Sequence, residues 1–176
     1  SRHWWGGALY RCFVLRSASR LAENLNSIGR LAMNATLENL KVLTADFFFL
    51  HWNETKIGKS SPEWSDRWTF IGSGPNYNKQ GVYAFVSNEG MVTYIGVASS
   101  RGGGPYRGHG LGARIGNAYV RVVSEGVYRP NDSRLEDAGG LVTIGFEPEQ
   151  AYLSNALELF LIGRLDTEHN SNRPGS

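Results

Sequence analysis

Two β-rich runs joined by a short polar turn are the feature that most limits how this chain can fold. The runs occupy residues 81–86 and 91–97, and the residues Ser87-Asn88-Glu89-Gly90 lie between them. β-branched and aromatic residues on both sides of an Asn/Gly turn predict an antiparallel hairpin. The chain is therefore expected to build its core on a sheet.

The length of the hairpin turn decides which side chains face each other. With a two-residue loop at Asn88 and Glu89, Tyr83 lies directly opposite Tyr94, and both hydroxyls project from one face of the sheet. A three-residue loop with a bulge at Gly90 shifts this register. The shared face of the two tyrosines is thus a prediction that depends on the turn type.

Downstream periodicity predicts two helices and one more strand. Apolar residues recur at helical spacing over residues 111–123 and, more strongly, over residues 151–165. A β-rich run at 141–146 lies between Gly139-Gly140 and Glu147-Pro148. This order predicts a small α+β domain, in which a three-stranded antiparallel sheet (the hairpin plus the third strand) is flanked by helices.

The chain before the hairpin divides into two parts. Residues 1–32 mix arginine, serine and aromatics without a sustained period, and we interpret them as an extension that is either artificial or a native basic arm. Residues 33–67 are predicted to form a helix capped by Thr36 and then a polar loop. This second part is expected to pack on the main domain at residues 68–176.

Bulk properties favour one domain in a reducing compartment. The chain has 176 residues, 41% of them apolar, and its single cysteine, Cys12, cannot form an internal disulfide. It contains no apolar run long enough to span a bilayer. We therefore expect a cytoplasmic protein without membrane contacts, either monomeric or homodimeric.

Positive charge is concentrated in one part of the predicted domain. The net charge is +2, but residues 101–134 hold six arginines against Glu125 and Asp132. Charge alone is typical of a solvated face, yet any phosphate-binding surface should lie in this stretch. Arg114 and Arg121 fall on one stripe of the predicted 111–123 helix. The candidate substrate-binding residues here are Arg107, His109 and Arg121.

Tripeptides on the two hairpin strands give the chain a family resemblance. Gly81-Val82-Tyr83 stands on the first strand and Tyr94-Ile95-Gly96 on the second. With an arginine on the next helix, a glutamate on the last helix and a closing asparagine, they resemble the GIY-YIG endonuclease family over residues 68–172. The matching positions are Arg114, Glu158 and Asn170, with Asn172 as a competing closing asparagine.

The resemblance implies a metal-dependent endonuclease that hydrolyses DNA phosphodiester bonds. Glu158 would bind one Mg²⁺ or Mn²⁺ ion, and Arg114 would bind the scissile phosphate as a planar donor fork. Tyr83 would be the general base or hydrogen-bond orienter of the attacking water, supported by Tyr94, and Asn170 would hold the site together. Tyrosine has a reference pKa of about 10, so a tyrosine base needs positive charge nearby.

One position departs from the family pattern. Many members carry a histidine or tyrosine one turn after the helix arginine, where this chain has Ala118 between Asn117 and Tyr119. The auxiliary proton-handling role is therefore unassigned, with His109 as one substitute. Two alternatives to a DNA endonuclease stay open: a catalytically silent DNA-binding module of the same fold, and an RNA-directed or structure-selective nuclease.

Overall fold

A computed structural model describes residues 32–136 and 138–170 of the chain, apart from the side chain of Tyr106. All of its elements belong to one unit that begins at Met33. The helices are α1 (Leu37–His51), α2 (Glu54–Ile57), α3 (Gly110–Ala118) and α4 (Leu153–Ile162). The strands are β1 (Met33–Asn34), β2 (Gln80–Ser87), β3 (Val92–Ala98), β4 (Val120–Ser124), β5 (Val127–Pro130), β6 (Ala138–Phe146) and β7 (Leu165–Asp166).

The centre of the fold is an antiparallel sheet in the order β3-β2-β6. This confirms the predicted mixture of helices with a three-stranded antiparallel sheet. Residues 81–87 are all buried, because other layers cover both faces of β2. Val82, Ala84 and Val86 pack in a cluster with α1 and α4, whereas Tyr83 and Phe85 point to the opposite face and pack with α3. The alternation of side chains along β2 therefore separates two cores.

Helix α1 is an integral part of the first core. Its N-terminus is capped as predicted, because the Thr36 hydroxyl oxygen accepts a hydrogen bond from the Asn39 N–H at 3.1 Å, a contact worth about 1 kcal/mol. The ring of Phe47 packs edge-on against Phe160 of α4, with centroids 5.4 Å apart. Phe48 meets Phe146 of β6 in the same way at 6.0 Å. The helix thus joins the sheet to α4.

The predicted helix over residues 111–123 is wrong beyond Ala118. Helix α3 ends there, and β4 pairs with β5 in a second hairpin whose turn contains Gly126 at φ 68°. The β-branched residues Val120, Val122 and Val123 favour a strand, and this preference outweighs their helical spacing. Arg121 therefore lies on the hairpin and shares no helical stripe with Arg114.

Helix α4 is shorter than the predicted span of 151–165. It covers Leu153–Ile162 and follows a single 3₁₀ turn at Pro148–Gln150. The chain leaves the helix at Gly163, because Leu165 and Asp166 pair in parallel with Met33 and Asn34. No helix in the described part of the chain combines the length and apolarity that crossing a bilayer requires.

The register of the first hairpin differs from the one that a two-residue loop predicts. Tyr83 lies opposite Gly96, and Tyr94 lies opposite Phe85, with an irregularity between Phe85 and Val86. The Gly90 residue adopts φ 83° in the turn, as in the alternative register with a bulge. Because the slip is an even number of residues, the two tyrosines keep one face. Their ring centroids lie 6.2 Å apart.

Candidate active site

The glycines of the two tripeptides, Gly81 and Gly96, lie where neighbouring atoms leave no room for a side chain. A Cβ atom on Gly96 would lie 2.5 Å from the Tyr83 hydroxyl oxygen, so the Tyr83 ring lies directly over this glycine. A Cβ atom on Gly81 would lie 2.0 Å from the carbonyl oxygen of Ile144 on β6. Neither position accepts a side chain without movement of its neighbours. Gly96 thus leaves room for the Tyr83 ring, and Gly81 leaves room for the backbone of β6.

Three polar side chains converge above β2. The Tyr83 hydroxyl donates to the Tyr119 hydroxyl at 2.8 Å. The Arg114 guanidinium donates from Nε to the Tyr83 oxygen at 3.4 Å and from Nη2 to the Tyr119 oxygen at 3.3 Å. Because Tyr119 accepts from both partners, its own hydroxyl hydrogen is free to donate elsewhere. The cluster therefore holds Arg114 between two phenol oxygens.

The sequence interpretation named Tyr119 only as a neighbour of Ala118 and gave it no role, although it lies in the centre of this cluster. The expected position was Ala118, one turn after Arg114, but α3 ends at Ala118 and the chain turns at Tyr119 with φ −125° and ψ −22°. Because of this change of direction, the side chain that returns towards Arg114 is Tyr119, the fifth residue after it, and not Ala118, the fourth. The signal available in the sequence was the start of a β-branched run directly after Tyr119.

Burial controls the protonation of the tyrosines. Tyr83 is completely buried and Tyr119 is 2% exposed. Burial and the hydrogen bond to Tyr119 raise the pKa of Tyr83 well above its usual range, and the opposing effect of Arg114 is smaller. Burial and the Tyr119 hydroxyl also raise the pKa of Tyr94, which is only half-buried. Both phenols are therefore neutral at ordinary pH in this arrangement.

Glu158 approaches the same region from α4. Its neighbours Leu157 and Leu161 are fully buried in the first core, and they fix the helix against the sheet. The carboxylate is half-buried near the free edge of β3. Burial raises the pKa of Glu158 above its ordinary value, although the Arg114 charge and the Val97 amide oppose this effect. The site thus holds one partly desolvated carboxylate close to its arginine.

Asn170 pairs with the free edge of β3. Its side-chain oxygen accepts from the Ile95 N–H at 2.8 Å, and its amide nitrogen donates to the Ile95 carbonyl oxygen at 2.8 Å. The Thr167 hydroxyl donates to the same side-chain oxygen at 2.8 Å. Asn170 therefore imitates a neighbouring strand and holds the segment that carries Tyr94. The competing Asn172 lies outside the described residues.

A second arginine, which the sequence interpretation noted only in its charge count, covers the tyrosines. The Arg134 guanidinium lies 4.8 Å from the Tyr94 ring centroid and 5.2 Å from that of Tyr119. Asp132 holds it through two hydrogen bonds, at 2.8 Å to Nε and 2.7 Å to Nη2. Cations in this position are attracted to the ring face. The site therefore carries two oriented guanidinium groups.

The three candidate substrate-binding residues do not join this cluster. Arg107 is exposed in the loop between β3 and α3, and Arg121 is exposed on β4. The His109 ring packs edge-on against Tyr77 at 5.3 Å and borders a different cavity from Arg114. Arg114 itself is exposed and lines an open cleft of about 510 Å³ between α3 and the residues that follow β3, Ser99 and Ser100.

Comparisons of the chain with protein-family models, curated proteins and solved structures found no match. The resemblance to GIY-YIG nucleases therefore rests on the sequence motifs.

The donor set fits one hard divalent cation. Within residues 32–136 and 138–170, no group of three or more histidine, cysteine or acidic side chains could bind a metal together. Mg²⁺ commonly binds through one or two carboxylates and keeps several waters, with phosphate oxygens completing its shell. Glu158 satisfies this requirement, because its partly desolvated charge is not neutralised by a direct ion pair within the described residues.

Replacing Glu158 with glutamine is expected to stabilise the fold at neutral and higher pH. A raised native pKa means that the carboxyl group stabilises the fold below its unfolded pKa, about 4.3, and that this contribution is lost as the pH rises through the native pKa. The Glu158→Gln variant should therefore melt at a higher temperature than the native chain at about pH 8, and at the same temperature below about pH 4. Glu149→Gln, at an exposed acid before α4, should change neither value. A lower melting temperature for Glu158→Gln at the higher pH would contradict the prediction.

Proposed function

We propose that this chain is a metal-dependent endonuclease of the GIY-YIG type that hydrolyses DNA phosphodiester bonds. One observation carries the proposal, which is that Arg114 lies between the tyrosine and the glutamate of the motifs. Tyr83 is within hydrogen-bond distance of Arg114, and Glu158 is close enough that the Arg114 charge acts to lower the pKa of its carboxyl group. These side chains come from a strand and two helices that are far apart in the sequence.

Arg114 binds the scissile phosphate in this proposal. Its Nε and Nη2 atoms are fixed by Tyr83 and Tyr119, so the remaining guanidinium N–H donors face the open cleft. The hydrogen bond to Tyr83 raises the pKa of Arg114, and the group stays charged. A planar fork that is oriented in advance binds phosphate oxygens with little loss of side-chain entropy. The two phenols thus act as the supports of the phosphate site.

Glu158 holds the metal ion. When bound, Mg²⁺ or Mn²⁺ would polarise the phosphate and stabilise the charge that develops on the departing oxygen. The protein contributes a carboxylate on a rigid helix, which fixes one coordination position. Because no group of three or more metal-binding side chains is present within residues 32–136 and 138–170, the lone Glu158 carboxylate favours a one-metal site over a two-metal one.

Tyr83 and Tyr94 differ in how far they are buried, and therefore in the groups that each can contact. Full burial and a raised pKa disfavour Tyr83 as the general base that the resemblance implies. Its hydrogen bond to the Arg114 Nε atom instead favours a role in orienting that arginine, which the resemblance did not imply. Tyr94 is half-buried, and the Arg134 guanidinium over its ring lowers its pKa against the effect of burial. Tyr94 therefore faces the attacking water, while Asn170 holds its strand in place.

A catalytically silent DNA-binding module is the second candidate function. It is favoured by the same burial, because Tyr83 and Tyr119 are 0% and 2% exposed, and a buried neutral phenol is a poor base. Such a module would keep the arginines for phosphate binding and would lose only cleavage.

The deciding experiment is plasmid cleavage by the native chain and two matched variants. Native protein, Glu158→Ala and Glu149→Ala are each incubated with supercoiled plasmid in Mg²⁺ and in EDTA. We expect nicked or linear product from the native chain and Glu149→Ala with Mg²⁺ only. Glu158→Ala should bind DNA but lose at least about 100-fold in cleavage rate, as when an electrostatic group of a reacting centre is removed.

The other outcomes separate the two candidates. Metal-dependent cleavage by Glu158→Ala would contradict the metal site. DNA binding without cleavage of plasmid, branched DNA or RNA would support the silent module.

A further inference from the structure

The β4–β5 hairpin carries two arginines directly opposite each other. Arg121 pairs with Arg129 in the antiparallel register, and both side chains are exposed. Directly paired like charges destabilise strands, whose Cα atoms at such positions lie about 5.5 Å apart or less. Within residues 32–136 and 138–170, neither guanidinium has an ion-pair partner. The pair is therefore a site of uncompensated positive charge.

These two arginines share one face of a hairpin whose first strand begins directly after Tyr119 of the tyrosine cluster. The Asn131 N–H donates to the Tyr119 carbonyl oxygen at 2.8 Å, which extends the strand pairing by one position. Tyr119 stands directly before β4, so Arg121 lies only two residues, about 7 Å of chain, beyond the tyrosine cluster. The opposite face borders an apolar cavity through Val120, Val122 and Tyr128. We name the side with Arg121 and Arg129 the arginine face.

The hairpin is fixed rigidly to the domain. Residues 70–72 pair with its β5 edge, because the Tyr128 N–H donates to the Phe70 oxygen at 2.9 Å and the Gly72 N–H donates to the Gly126 oxygen at 2.7 Å. The Tyr128 ring also packs against Trp68 at 5.4 Å. Rigid presentation lowers the entropy lost when a charged surface binds a partner.

We infer that the arginine face of the β4–β5 hairpin binds double-stranded DNA beside the cleavage site. This inference rests on the proposed function and adds the element that holds the duplex. A two-stranded ribbon enters the major groove of B-form DNA, whereas the deep and narrow major groove of A-form RNA excludes it. Arg121 and Arg129 reach phosphates next to the one that Arg114 binds.

The test measures DNA binding by full-length chains that all carry Glu158→Ala, so that the duplex stays intact. Binding of a short fluorescent DNA duplex is followed by anisotropy over a range of salt concentrations. Arg121→Gln/Arg129→Gln is compared with Lys41→Gln/Lys56→Gln, which removes two exposed positive charges from α1 and α2. All four positions are exposed, and melting temperatures confirm that each variant folds.

The expected result is a change in the salt dependence of binding. Each phosphate contact adds about 0.9 to the slope of log affinity against log salt, so the double arginine variant should lose about 2 from that slope and about tenfold in affinity at low salt. The lysine variant should keep the slope. An unchanged slope in the arginine variant overturns the inference, and so does an equal loss on duplex RNA or single-stranded DNA.

Plasmid cleavage by the native chain, measured in parallel, keeps this inference separate from the proposed function. Cleavage together with an unchanged slope leaves the nuclease standing and rejects the hairpin as the duplex-binding element. A reduced slope without cleavage supports the hairpin and rejects the nuclease.

Discussion

Replacing Gly96 with alanine is expected to lower the free energy of unfolding by about 3 kcal/mol, the upper part of the range for an overpacked core. The added methyl group would lie 2.5 Å from two atoms of the Tyr83 ring, Cζ and the hydroxyl oxygen. That ring cannot turn aside, because Phe85 and Tyr119 pack against it with centroids 5.8 Å and 5.5 Å away. Urea denaturation of the native chain and the variant measures the loss.

A double-mutant cycle identifies the cause of that loss. In a Tyr83→Ala background the methyl group enters vacated space, so Gly96→Ala should then cost little, and the two substitutions should be strongly non-additive. Gly116→Ala on α3 is the control, because nothing lies within 4 Å of the position of its Cβ atom. This change should stabilise the helix by about 0.5–1 kcal/mol. Additive effects of Gly96→Ala and Tyr83→Ala would contradict the proposed contact.

The parts of the fold that follow from local pattern were predictable from the sequence. β2 and β3 are long β-rich runs around a turn with a glycine at positive φ, and the third strand lies between clear turn residues. The Thr36 cap of α1 is likewise a local interaction between the Thr36 hydroxyl and the Asn39 N–H. Each of these features depends on residues that are close in the chain, so its signal is present in a short window.

The second hairpin was not predictable from apolar spacing alone. Residues 119–123 fit a helical period as well as a strand. Contacts with residues that are distant in the sequence decide between the two structures. The edge of β5 binds residues 70–72, and Tyr128 packs on Trp68, so the strands bury backbone and aromatic surface that a helix would leave unpaired. This tertiary preference moved Arg121 from the expected helix to the hairpin.

The candidate site was predictable only where a motif named its residue. Tyr83, Arg114 and Glu158 come from the family motifs, and the fold brings them into one region. Tyr119 and Arg134 carry no motif, and their positions depend on the end of α3 and on the Asp132 ion pair. Both reach the site because of where the chain turns, which a periodic pattern does not record.

Removing the Tyr119 hydroxyl tests whether this residue supports Arg114, the arginine that we propose binds the phosphate. In Tyr119→Phe the Tyr83 hydroxyl loses its acceptor, and the Arg114 Nη2 atom loses one of its two anchors. We expect about a 100-fold loss in kcat/KM for DNA cleavage, since a small misplacement of a positioned group has effects of that size. Leaving the buried Tyr83 hydroxyl hydrogen without an acceptor should also lower the free energy of unfolding by about 1–3 kcal/mol. Steady-state cleavage and urea denaturation measure the two effects separately.

Two further variants decide between a positioning role and a merely structural one. Tyr119→His keeps a group that can accept and donate hydrogen bonds, so it should recover part of the cleavage that Tyr119→Phe loses. Tyr128→Phe removes a phenol hydroxyl from the hairpin that follows Tyr119, but that ring packs on Trp68 outside the cluster, so cleavage should change little. If the loss of cleavage in Tyr119→Phe simply followed its loss of stability, a stabilising substitution such as Gly116→Ala would restore both together. Recovery by histidine without recovery by Gly116→Ala supports Tyr119 as the residue that orients Arg114. The reverse pattern assigns Tyr119 to the core and removes it from the site.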